Sequence, residues 1–226
     1  VTEFCKAANR AGMQIELHAI GDRAFTQAAN AIKAALDDFP RDDHRHGIIH
    51  DCLPTPEGIE ICKNYNILMQ VQSAFIGWKQ EPDEYLESIL GHERWAKLNP
   101  IKTFKDNGIV VSFGSDAPCT YPDPIVWMDK AVNNGIESEA VTVQDALRMC
   151  TFNGYYTTFD EDERGSLEEG KVADMVILSA NPYEIPKDEI KNLKVEKLYL
   201  SGEEYRSCKE NIAVAAARGL SSKAKF

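Results

Sequence analysis

The stretch IELHAIGDRAF, residues 15–25, decides how the rest of the chain is read. An apolar run stops at His18, a short Ile-Gly link follows, and an Ala-rich pattern with apolar residues at helical spacing begins near Asp22. This is the signature of a strand feeding a helix, with an imidazole at the strand's carboxyl end. The same alternation recurs three more times. HGIIHD (residues 46–51) reads as a second strand, and Thr55 with Pro56 forms a cap-plus-proline signal for a helix running to about Tyr65. ILMQV (67–71) is a third strand, followed by an acidic, Trp-containing insertion in which PDEYLESILG reads as helical. Asn99 and Pro100 repeat the cap signal for a helix closing at Gly108, and IVVSF (109–113) is a fourth strand with GSDAP at its end. Short apolar strands separated by amphipathic helices predict parallel βα units, either a doubly wound sheet or part of a (β/α)8 barrel.

Beyond these units two helices are predicted, from Asp123 to about Gly135 and from Thr142 to about Cys150. The texture then changes to strands joined by Gly turns, in RGSLEEGKVADMVILSANP and KVEKLYLSGEEYRS, which predicts a small antiparallel unit. The tail NIAVAAARGLSSKAKF reads as a helix fraying at its Ser- and Lys-rich end.

The 226 residues carry 25 basic and 36 acidic side chains, a net charge of −11, with no basic run. That balance speaks against nucleic acid or an anionic membrane surface as a partner. No run of eighteen apolar residues and no signal-peptide layout is present, so a soluble, cytoplasmic setting is expected. Six irregularly spaced cysteines predict buried reduced thiols rather than a disulfide framework, Cys119 among them. The chain opens on Val1, already inside a helix-like pattern, as if it started partway through a longer one.

Three polar residues share a placement: His18 and His50 end the first two strands, and Asp116 lies three residues past the fourth. Loops at strand carboxyl ends converge in parallel α/β architectures, and two imidazoles with a carboxylate are a donor set for zinc or a similar divalent metal. Taken singly, each has a blander reading, since a strand-end histidine is commonly a satisfied polar residue and GSD a turn. His44 and His46 begin the second strand and fall on the opposite rim, while His92 reads as a surface residue. Gln70 and Gln72 flank the end of the third strand, where an amide either touches substrate or caps a loop; Gln72 is the candidate substrate contact.

The motifs ELHAIGDRA, HGIIHDCLPTPEG, GIVVSFGSDAP, DALRMCTFNGYY and GSLEEGKVADMVIL, in this order, resemble the amidohydrolase superfamily, and within it the amidohydrolase family 3 group that includes N-substituted formamide deformylases. The resemblance implies an α/β fold, the carboxyl-terminal half of a TIM barrel (strands five to eight) over residues 1–160, with part of a small β-sandwich over 161–226. It implies metal ligation by His18, His50 and Asp116, with Asp116 also shuttling the proton, and hydrolysis of an amide-like carbon–nitrogen bond in a small molecule. Gly47, Ile49 and Ser73 depart from the Arg, Glu and Pro that such proteins commonly carry there. The His-x-His pair of a first barrel strand is missing, so the chain is expected to be the later part of a longer enzyme, inactive alone and prone to self-association. The alternative is a non-catalytic α/β binding or regulatory module of the same fold.

Overall fold

Four parallel strands follow one another in chain order across a single sheet, and the helices between them pack on one of its faces. The computed structural model describes residues 1–205. The predicted tail helix and Cys208 lie outside the described residues. The elements run α1 (Thr2–Arg10), β1 (Glu16–Ala19), α2 (Asp22–Asp38), β2 (Gly47–His50), α3 (Pro56–Asn64) and β3 (Leu68–Val71). Then come α4 (Asp83–Leu90), α5 (His92–Trp95), α6 (Ile101–Asp106), β4 (Val111–Phe113), α7 (Pro124–Val132), α8 (Val143–Cys150) and α9 (Phe152–Thr157). The sheet order is β1-β2-β3-β4, all parallel. Among the described strands the order never reverses, so no topological switch point of a doubly wound sheet occurs.

Register sorts the strand residues into two faces. Leu17, Ile48, Met69 and Val111 lie side by side in one row; His18, Ile49, Gln70 and Ser112 form the next. Because side chains alternate along a strand, these rows point to opposite faces. The first row meets the helices, where Ile48, Met69 and Val111 are buried against Phe25, Ile32 and Ala35 of α2 and Phe104 of α6. The apolar positions of α2 (Phe25, Ala28, Ala29, Ile32, Ala35, Leu36) recur at three- and four-residue steps, which is why one face of that helix docks. Gly58 lets α3 approach α2, since a Cβ there would lie 2.6 Å from the Phe25 ring.

Thr55 caps α3 as predicted, its hydroxyl accepting from the Gly58 amide, with proline at the first helical position. Asn99 does not cap α6. It sits at φ 47° with its amide bonded to the Cys52 carbonyl, and Pro100 occupies the cap position. The tertiary bond to Cys52 overrides the local capping signal. At α8, Thr142 and Asp145 form a reciprocal capping box.

The antiparallel unit is present as β5 (Met175–Leu178), β6 (Val195–Leu200) and β7 (Glu203–Glu204), in the order β5-β6-β7. Its β5–β6 connection turns back to the main body, burying Ile190 in the common core. The five described cysteines are all free, but the expectation of burial holds only in part: Cys5 and Cys62 are buried, Cys52 and Cys150 half-buried, and Cys119 is exposed. Cys119 lies in the turn after β4, outside the reach of the helix layer. Among the described residues no helix is long and apolar enough to cross a membrane.

Candidate active site

His18 ends β1 on the face turned away from the helices, one row from the strand's last residue. His50 pairs with Ala19, so strict alternation would send its side chain to the opposite face, into the helix layer. The backbone prevents this. His50 adopts φ 81° and Asp51 φ 54°, a left-handed pair that non-glycine residues enter at a cost of about 1–3 kcal/mol each. The turn brings the His50 ring to His18, with ring centroids 4.5 Å apart and planes at 77°. Two imidazoles from neighbouring strands therefore meet edge to face at the carboxyl end of the sheet.

His50 is buried, whereas His18 is open to solvent. Burial lowers the basicity of His50 and His18 adds to this, while the hydrogen bond that His50 makes to Gln72 Oε1 and the charge of Asp116 oppose it. Phe75 stacks on His50 with ring centroids 6.0 Å apart, and Trp78 stacks on Phe75 at 5.1 Å. Asp116 occupies the exposed turn after β4 at φ 51°, its carbonyl bonded to the Cys119 amide. Its charge reaches His50, yet among the described residues no three His, Cys, Asp or Glu side chains stand close enough to hold one metal ion. Of the three sequence-derived candidates, the structure thus joins two and leaves the third nearby.

Gln72 is buried with both amide heteroatoms engaged: Nε2 donates to the Gln70 carbonyl at 3.2 Å, and Oε1 lies 2.6 Å from His50 Nδ1. Gln70 reaches back along the same face to donate to Glu16 at 3.2 Å. This explains Gly47, since a Cβ there would lie 2.5 Å from both Gln70 Nε2 and Glu16 Oε2. A side chain at 47 and the Gln70–Glu16 contact exclude one another.

Asp51 is the residue that sequence reasoning passed over. It is completely buried, neither carboxylate oxygen has a hydrogen-bond partner, and burial, then Glu16, drives it well above the usual carboxyl range. The only signal in the sequence is its position directly after a strand-end histidine. His44 and His46 lie at the opposite rim, as expected, in a closed network. His46 Nδ1 accepts from the Ile15 amide at 3.1 Å and its Nε2 meets Asn9 Oδ1 at 3.0 Å, while His44 Nδ1 accepts from the His46 amide. His92 is exposed and paired with Glu87.

A family model described as the amidohydrolase family matches residues 1–205. The chain belongs to the amidohydrolase family. It is 30% identical over 209 residues to YtcJ of Bacillus subtilis, and 28% identical over 216 residues to the N-substituted formamide deformylase of Arthrobacter pascens. These alignments cover 88% and 89% of this amidohydrolase chain but 38% of each relative, so the chain spans well under half of their length. Among solved structures it resembles an uncharacterised metal-dependent hydrolase of Pyrococcus furiosus (28% identity, TM-score 0.65, covering 76% of this chain and 34% of that one). An adenosine deaminase from Xanthomonas campestris with bound zinc shares the fold at 17% identity and TM-score 0.64, covering 99% of this chain and 54% of that one.

Proposed function

We propose that this chain forms part of a metal-dependent hydrolase that cleaves a non-peptide carbon–nitrogen bond in a small amide-like substrate. In this reading β1–β4 are strands five to eight of a (β/α)8 barrel, and residues 161–205 belong to a small β-sandwich beside it. His18 and His50 ligate a divalent ion, zinc by preference, and Asp116 completes the set. The observation that carries the reading is the edge-to-face contact of His18 and His50 at the carboxyl end of a parallel sheet, made at the expense of a left-handed backbone. Active sites of barrel enzymes occupy that end. Support comes also from the A. pascens relative, a formamide deformylase, and the P. furiosus neighbour, a metal-dependent hydrolase.

The donors suit the ion in kind. Two imidazoles are ordinary zinc ligands, and His50, with Nδ1 engaged by Gln72, keeps Nε2 for coordination. Such an ion, when bound, polarises a carbonyl and lowers the pKa of water towards neutrality. The exposed carboxylate of Asp116 is the group that would take a proton from water and return it to the departing nitrogen, as general base and afterwards general acid. Burial lowers the basicity of His50, which favours the neutral imidazole with a lone pair to donate. Phe75 stacks on the His50 ring and Trp78 on Phe75, which puts an aromatic surface beside that histidine.

That no three such donors close on one point among the described residues favours one second reading, a non-catalytic module of the same fold. Elemental analysis of the 226-residue chain against His18→Ala and His50→Ala separates the two. We expect bound zinc in the parent and its loss in both variants, with little hydrolysis of N-formyl or N-acyl amines until the chain is extended to the relatives' length. Equal metal content in all three proteins, or no hydrolysis by the extended protein, overturns the enzyme reading.

A further inference from the structure

We propose that Gln72 is a positioning residue that fixes the tautomer and orientation of His50. The argument begins two residues upstream. The Gln70 carbonyl oxygen can only accept, so the Gln72 atom 3.2 Å from it is the amide nitrogen. The atom 2.6 Å from His50 Nδ1 is therefore the amide oxygen, which also can only accept. Nδ1 must carry the hydrogen. A neutral imidazole has one N–H, so Nε2 is left as the lone-pair nitrogen. Flipping the amide would set two carbonyl oxygens against each other, so the Gln70 backbone locks the arrangement.

Two further observations make this more than an incidental contact. The His50 side chain leaves the face that strand alternation assigns to it, and Gln72 supplies its hydrogen bond on the new face. Gly114 borders the amide, where a Cβ would lie 3.6 Å from Gln72 Nε2, and Gln72 itself is only 5% exposed. A buried amide with both ends used is poorly placed to bind substrate. It acts instead through His50, in the way that outer partners of ligating histidines orient the ring. The consequence for metal affinity rests on the function proposed above; the tautomer does not.

The test compares the 226-residue chain with Gln72→Leu, which removes the acceptor, and Gln72→Glu, which restores one. Long-range proton–nitrogen NMR of the histidine rings, without metal, reads the protonated nitrogen of His50. We expect protonated Nδ1 and bare Nε2 in the parent and in Gln72→Glu, and loss of that signature in Gln72→Leu. Zinc affinity should fall about 10- to 100-fold in Gln72→Leu and recover in Gln72→Glu. A parent His50 protonated at Nε2 overturns the proposal, even if the leucine variant fails to fold. So does an unchanged His50 signature in a folded leucine variant. A tautomer that follows residue 72 in proteins that bind no zinc upholds Gln72 while removing the metal reading.

Discussion

His46, just before β2, and His50, at its end, lie four residues apart and are put to opposite uses. His46 is fully buried, accepts from one backbone amide, and faces Asn9, whose amide nitrogen is spent on the carbonyls of Ala35 and Phe39. Nothing there receives a second proton, and burial, reinforced by His44 and Arg41, pushes His46 down to about 3. An imidazole whose folded pKa is depressed stabilises the protein fully above its unfolded value near 6.5, and that stability is lost as pH falls towards 3. Urea unfolding should show a loss on the order of a few kcal/mol between pH 6.5 and 4. His46→Gln, which keeps polar atoms and cannot titrate, should flatten this slope; an equally steep slope in that variant would assign the loss elsewhere. Histidine count and spacing could not separate these roles. What could be read was the rim each residue occupies, because strand length sets it.

At the scale of elements, the Arg45 side chain ties α9 to the β2 entry. The Arg45 guanidinium sits between the rings of Tyr156 and Phe159, each centroid 4.1 Å away, and makes a two-toothed bond to Glu161 at 2.7 Å. Asp43 takes a further bond at 2.7 Å. Both Arg45 and Glu161 are largely buried, so Arg45→Ala strands a carboxylate. Stability should drop by about 3 kcal/mol, measured by thermal and urea unfolding, and Arg45→Lys should recover only part of it because lysine cannot form the planar double contact. Full recovery by lysine would reduce the clamp to simple charge pairing. Local chemistry was legible for α3 and α8, whose caps act within three residues. It misled at Asn99, where a partner 47 residues away, Cys52, claims the backbone.

Across the whole molecule, the sheet leaves one edge of β1 and one edge of β4 without a partner strand among the described residues. The face carrying Glu16, His18, Ile49 and Gln70 lies opposite the helices, although parallel sheets are generally covered on both sides. Open edges and an uncovered face template association. Light scattering coupled to size-exclusion chromatography should therefore find the 226-residue chain as a dimer or larger species at micromolar concentration. A clean monomer under those conditions would show that the face is tolerated in water.

The strand–helix alternation through β4, the parallel pairing and the strand ends that carry His18, His50 and Asp116 were present in the amino-acid pattern, because periodicity and caps act over a few residues, whereas the short α5 and α9 were not read there. The motifs carried the family for the same reason, as each is a short contiguous run. Which face His50 takes, its bond to Gln72, the burial of Asp51 and the conflict between a side chain at 47 and Gln70 emerged only on folding. Each depends on where neighbouring strands bring atoms distant in the chain, and alternation alone points His50 the wrong way.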